Sequence, residues 1–292
     1  MIRKVEKVIG GRTLSIETGR VGKQANGSAL VRYADSTVFC AATVAVMNRE
    51  VDFFPLTVDY REKTSAAGKF PGGFIKREGR PTTKEILTAR LIDRPIRPLF
   101  PDHFQMDTSI QAMVLSADQQ NDTDILAMIA ASAALAVSDV PFLGPTGSVR
   151  MGFVDNEFVI NPTQTQLKTS ALDLVISGTR NAVTMVEAGA DELSEAQMLE
   201  AIARGHEVVR EIIEIQEELM QQCGKPKMEL APPPDHSGTL EMLKGKYYDL
   251  FPPALRTPTK HDRKLAVDAV VTQALDEIAP EPAPDAPPSD AP

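Results

Sequence analysis

Residues 124–138 read DILAMIAASAALAVS, a helix-forming run that is apolar on nearly every side. A helix without a polar stripe has no face to give to water, so it must be buried among other elements. Its alanines and serines suit close packing. No apolar run reaches the roughly 18 residues that a membrane span needs. The chain is therefore expected to wrap this helix in its own core. Its 292 residues suffice for one large domain or two of ordinary size. The composition, 42% hydrophobic and 24% charged, is that of a soluble globular protein.

The elements around that helix are mostly strands. KVIGGRTLSI (7–16) places two apolar arms around Gly10-Gly11, a hairpin signal. SALVRY (28–33) and TVFCAATVAVM (37–47) flank Ala34-Asp35-Ser36 as a second hairpin, and FFPLTVDY (53–60) predicts a further strand. Thr82-Thr83-Lys84-Glu85 is a capping box that starts a helix, which should stop near Asp93 because Pro95 follows Arg94. Later strands are predicted at 109–117, 148–154, 157–161, 172–178 and 182–190, and a long helix at 194–222 opens with SEAQ. Strand blocks separated by single helices predict an α+β domain over residues 1–224. KPKMELAPPPDHSG (225–238) reads as a proline-stiffened linker, 239–278 as a short helical unit, and the Pro/Ala/Asp tail 279–292 as disordered.

Charge is distributed unevenly. The chain carries a net −9, yet residues 61–97 hold ten Lys/Arg against four Asp/Glu. A basic stripe on an acidic protein is the footprint of one defined polyanion site. Within it, PGGFIKREGRP (71–81) joins glycines, Phe74 and the cations Lys76, Arg77 and Arg80. Aromatic and basic residues on such a loop grip single strands without reading sequence. The same residues also fit a solvated loop with Phe74 tucked into the core. Arg90 and Arg94 share a helix face, with Arg97 just beyond. They fit phosphate contact or pairing with Asp93 and Glu85 equally, and spacing leaves this open. The loop 62–81 is long for an unstructured segment, which points to function. Phe100 and Phe104 read as packing residues, and Cys40 as a buried small hydrophobe. The N-terminus lacks a secretory apolar stretch, and with only two cysteines a reducing cytoplasmic location is expected. No loop carries a P-loop or dinucleotide fingerprint.

The stretch FFPLTVDYREKTSAAGKFPGGFIKREGRPTTKEILTARLIDRPIRPLFPDHF (53–104) resembles the first core domain of the bacterial polynucleotide phosphorylase family. The likeness continues through 119–154 and 161–198, closely to about residue 222 and more loosely to about 278. It implies an α+β, ribonuclease PH-like domain with mixed sheets, packed helices and a ribosomal-S5-like βαβ topology. A partial all-helical domain would follow. It also implies 3′-to-5′ phosphorolysis of RNA to nucleoside diphosphates in a trimeric ring, with Mg²⁺ and phosphate acting in a second core domain. RNA-degradation partners are implied, and a membrane is not. The family's RNA-gripping loop matches Phe74-Ile75-Lys76-Arg77, where Ile75 and Lys76 depart from a pattern of two aromatics and two arginines. Fewer stacking faces and Lys for Arg should weaken the grip and keep the charge.

The resemblance also indicates that this domain is silent. Where the active domain offers a serine-rich helix start for phosphate, Asp122, Thr123 and Asp124 stand here. Thr83-Lys84 replace its paired arginines, and of its metal-binding positions only Asp173 keeps a carboxylate, with Leu167 and Val175 at the others. No catalytic residue and no metal ligand is expected in this chain. The leading expectation is the RNA-binding and assembly part of a polyribonucleotide nucleotidyltransferase, and the alternative is a stand-alone RNA-binding or scaffold protein of the same fold. The RNA-binding set comprises Phe74, Lys76, Arg77, Arg80, Arg90, Arg94 and Arg97.

Overall fold

Strands β1 (Arg3–Ile9) and β2 (Arg12–Thr18) meet at Gly10-Gly11, whose φ angles of 53° and 79° suit the left-handed two-residue hairpin turn. The structure is a computed structural model and describes residues 1–46, 53–232 and 235–278. A second hairpin joins β3 (Gly27–Tyr33) to β4 (Ser36–Ala45) across Ala34-Asp35. Both hairpins stand where the sequence predicts them, although Met47 at the end of the expected strand 37–47 lies outside the described residues. The next strand is shorter than expected, β5 (Leu56–Arg61).

Helix α1 (Thr83–Ile96) begins at the Thr82/Glu85 capping box but runs through Pro95, past the expected stop at Asp93. The proline sits in the last turn, and burial of Ile92, Pro95 and Ile96 outweighs the local preference of Arg94. Strand β6 (Asp107–Ser116) then enters between β4 and β5, antiparallel to the first and parallel to the second. The six-stranded order is β1-β2-β3-β4-β6-β5, and α1 is the crossover that a parallel pair requires.

Helix α2 (Thr123–Val137) is the apolar run, and every one of its residues is buried. It packs on β3, β4 and β6, and on a second sheet. Gly27 of β3 lets the two meet, since a Cβ there would stand 2.0 Å from the Ala134 carbonyl oxygen. The second sheet comprises β7 (Gly147–Val154), β8 (Glu157–Ile160), β9 (Leu172–Gly178) and β10 (Val183–Ala190), all antiparallel in the order β10-β9-β7-β8. A one-turn helix not expected from the sequence, α3 (Gln164–Leu167), links β8 to β9 behind a Thr163/Gln166 capping box. Helix α4 (Glu195–Cys223) starts at Ser194 as its capping box predicts and packs on β7, β9, β1 and α2. Phe100 and Phe104 are buried with Phe54 and Phe142 as an aromatic cluster, and Cys40 is fully buried. The architecture is α+β, as expected.

Two compact units divide between Leu230 and Ala231. That boundary corrects the linker expected at 225–238. The Lys225 and Met228 N–H groups donate to Val137 and Asp139 oxygens at 3.1 and 2.7 Å, and the Lys227 ammonium donates to the Leu135, Ala136 and Ser138 carbonyls. Residues 225–230 thus cap the end of α2, whose free carbonyls favour a cation. The second unit holds α5 (Ser237–Tyr247), α6 (Phe251–Leu255) and α7 (Lys260–Ile278). Pro233, Pro234 and the tail 279–292 lie outside the described residues.

Candidate nucleic-acid interface

The basic loop leaves β5 and returns to α1, and its two ends are fastened by one carboxylate. Glu85 is buried; its Oε1 accepts from the Glu62 N–H at 2.9 Å and its Oε2 from the Thr82 N–H at 2.6 Å. Burial alone would raise the Glu85 carboxyl, but the Thr82 and Glu62 donors hold it below its ordinary range. Above this clasp, Arg61 donates to the Gly79 carbonyl, and Glu78 Oε1 accepts from both the N–H and the hydroxyl of Thr64 at 3.0 and 2.9 Å. Thr64–Ala67 forms a 3₁₀ turn, so the segment is more structured than the sequence suggests.

Beyond this stem the tip stands free. Phe74 is fully exposed, which answers the open question of whether it is tucked into the core. Ile75 is exposed at 74%, and Lys76 adopts a positive φ of 54° just after Gly73 at 77°. Lys76, Arg77 and Arg80 are exposed, and among the described residues none of them pairs with a carboxylate. The one carboxylate between Lys63 and Lys84 is Glu78, and Thr64 holds it in the stem. The outward field of the loop is therefore positive.

The arginines of α1 divide into three cases. Arg90 is exposed and has no carboxylate partner among the described residues. Arg94 bonds Glu187 at 2.6 Å, an exposed pair of the kind that exchanges partners readily. Arg97 is committed internally. It bonds Asp93 at 2.6 Å and donates to the Phe54 and Leu56 carbonyls at 3.0 and 3.1 Å, with its guanidinium over the Phe54 ring. Arg97 thus secures α1 to the approach of β5, and we drop it from the expected RNA-binding set.

A residue that sequence reasoning missed lies on the same tip. Phe70 is 91% exposed. The available signal was its setting in AAGKFPGG, where no strand or helix period exists to bury an aromatic side chain.

The start of α2 forms the floor of a cleft of about 1020 Å³ that includes Glu62, Lys84, Asp122, Thr123, Asp124, Leu167 and Asp173. Asp122 occupies the helix N-cap position, yet its side chain caps nothing. It turns instead to Arg150 of β7, whose Nε lies 3.5 Å away. The same guanidinium bonds Asp124 at 2.5 Å and also bonds Asp173. Burial, with Asp124 adding to it, raises the Asp122 carboxyl against the pull of Arg150 and Lys84. Tyr60, 2.7 Å from the Thr123 hydroxyl, has its phenol pushed up by burial and by Glu62. The sequence placed the aspartates here but missed Arg150, which reaches Asp122 and Asp124 from β7, next to Asp173 on the neighbouring strand β9.

This arrangement does not fit Mg²⁺. All three carboxylates converge on one guanidinium, which hydrogen-bonds Asp124 and Asp173 and lies beside Asp122, so their oxygens are turned to Arg150, whereas Mg²⁺ takes free carboxylate oxygens in near-octahedral array. Val175 is buried in β9, and among the described residues no group of three His, Cys, Asp or Glu side chains is placed to hold a metal.

Residues 10–141 match the model described as "3′ exoribonuclease family, domain 1", and 144–208 match domain 2 of the same family. The first match takes in β2 to β6 of the six-stranded sheet and the second all of the four-stranded sheet. The polyribonucleotide nucleotidyltransferase of Rhodopirellula baltica is 48% identical over 279 residues, 96% of this chain and 37% of that protein. Those of Heliobacterium modesticaldum and Geobacter sulfurreducens are each 50% identical, over 93% and 95% of this chain. The chain spans 37% to 40% of the length of these relatives. The rice protein Rrp46 shares the fold with a TM-score of 0.57 at 14% identity, covering 76% of this chain and 94% of its own.

Proposed function

The chain belongs to the 3′ exoribonuclease family, and on that footing we propose that it supplies the RNA-gripping and assembly part of a polyribonucleotide nucleotidyltransferase. The whole enzyme would shorten RNA from its 3′ end by phosphorolysis, in the cytoplasm and as a homotrimer, with phosphate and Mg²⁺ held outside this chain. It would work beside other RNA-degradation partners. The observation that carries the reading is the loop tip: an exposed aromatic residue beside three cations that pair with no carboxylate among the described residues, the tip's own carboxylate being held in the stem. Single-stranded RNA is gripped by such a combination of base stacking and phosphate attraction. Phe74, Lys76, Arg77 and Arg80 would form the grip, with Arg90 and Arg94 extending it along α1. Residues 235–278 would be the start of an all-helical domain.

The Arg150 cluster supports a non-catalytic role. It fills with bonded aspartates the place where a phosphate would need free donors. No helix among the described residues is long and apolar enough to cross a membrane.

The test is binding of single-stranded RNA by the purified chain across a salt series. Replacing Lys76, Arg77 and Arg80 together by Ala should weaken binding and flatten the salt slope by about two, at about 0.7 per single-strand phosphate contact. An unchanged slope refutes the grip. Phosphate-dependent release of nucleoside diphosphate by this chain alone would refute the silent domain.

A further inference from the structure

Phe70 belongs to no core cluster and to no pairing described above, and its 91% exposure is matched only by Phe74 among the aromatic side chains of the loop. Scattered exposed apolar residues are ordinary on a protein surface. Two phenyl rings on one tip, among cations and with no outward carboxylate, are a different situation. The three residues between them are Pro71, Gly72 and Gly73. A methyl group built at Gly72 or Gly73 would find nothing within 4 Å, so the backbone between the rings is open on its Cβ side to an approaching strand. The stem formed by Glu85 and Glu78 fixes the base of the loop and leaves both rings in water.

Exposed phenyl faces gain most from a flat apolar partner that itself carries negative charge along its edge. A nucleic-acid base on a phosphate backbone is such a partner, and each base offers a face whatever its identity. Lys69 precedes Phe70, and Lys76 and Arg77 follow Phe74, so a cation flanks each ring. Four residues of chain reach at most about 14 Å, which keeps both rings on one short stretch of strand. Resting on the RNA-binding reading above, we propose that Phe70 is a second stacking face, so that Phe70 and Phe74 hold two bases of the same single strand. The aromatic face lost at Ile75 is thereby regained from the other side of the Gly72-Gly73 turn.

The experiment measures affinity of the purified chain for oligoadenylate and for an abasic oligomer of equal length and charge. Phe70→Ala should weaken oligoadenylate binding roughly 5- to 150-fold, the range of one lost stack. It should leave the abasic oligomer and the salt slope unchanged. Phe70→Trp should keep full affinity, and both variants should melt with the parent because the ring touches no core. Oligoadenylate affinity unchanged in Phe70→Ala overturns the inference, and so does an equal loss on the abasic oligomer. So does a loss confined to lipid vesicles or to a protein partner. If Phe70→Ala is silent while the Lys76/Arg77/Arg80 variant loses binding, the grip stands without this residue. If both are silent on RNA, the RNA-binding reading itself falls.

Discussion

Two charged regions of the first unit use the same side chains in opposite ways. At the start of α2, Asp122, Asp124 and Asp173 close on Arg150. Around the loop between β5 and α1, the carboxylates of Glu78 and of Glu85 in α1 face the stem, and Lys76, Arg77 and Arg80 have no carboxylate partner among the described residues. The first region has turned its charge inward, onto Arg150, and what excess remains is negative and would repel a phosphate. The second has used its carboxylates to fasten the stem, and the cations at its tip remain available. Charge density alone therefore does not mark a binding site; what matters is whether the charge has a partner within the chain.

The widest break in that contrast comes from Arg150→Met. It leaves three aspartates facing one another and should cost about 3–5 kcal/mol in denaturant unfolding at neutral pH, the loss expected when one partner of a buried ion cluster is removed. A midpoint equal to the parent's would show that the cluster holds nothing.

Glu85→Gln comes next. It keeps the shape of the clasp but removes the charge that two N–H groups bond, and should cost about 2 kcal/mol by the same measurement. The Glu85 carboxyl titrates below its ordinary 4.5 in the folded chain, so its stabilisation is complete above that pH and fades as pH falls below it. The difference between parent and Glu85→Gln should therefore close in acid.

Asp122→Asn sharpens the comparison from the other side. Asp122 titrates above its ordinary 3.8 when folded, so the folded state binds the extra proton and stability declines as pH rises through that range. Removing this charge should leave melting at neutral pH equal to the parent's or higher. A clear fall would mean that its bond to Arg150 outweighs its burial. The smallest effect on stability belongs to the Lys76, Arg77 and Arg80 alanine variant. These are free surface side chains, and their removal should shift unfolding by no more than about 0.5 kcal/mol. A larger shift would give them structural partners and remove the distinction between the two regions.

What could be read from the sequence was local. The Gly10-Gly11 turn and the capping boxes at Thr82 and Ser194 are satisfied by neighbours a few residues away, and the apolar run 124–138 declares its burial by its own composition. The failures involve partners distant in the chain. Pro95 stays helical because α1 is held against β5 and α2, and Lys225 to Met228 join the first unit through the end of α2. Arg150 meets Asp124 from a strand of the second sheet, and Arg97 is drawn to carbonyls some forty residues earlier. In the candidate site the loop was visible as composition, and the exposure of Phe70 became legible only once no core claimed it.

The position of β5 at the sheet edge has a kinetic consequence. β1 to β4 pair as successive hairpins and can zip up from the first 45 residues alone. β5 pairs with none of them; its neighbour is β6, whose formation must wait for the whole crossover. Non-local pairing closes late because loop entropy must be overcome first. The basic tip is thus fixed on its stem only after the meander and the edge have annealed, as one of the last events of folding this sheet.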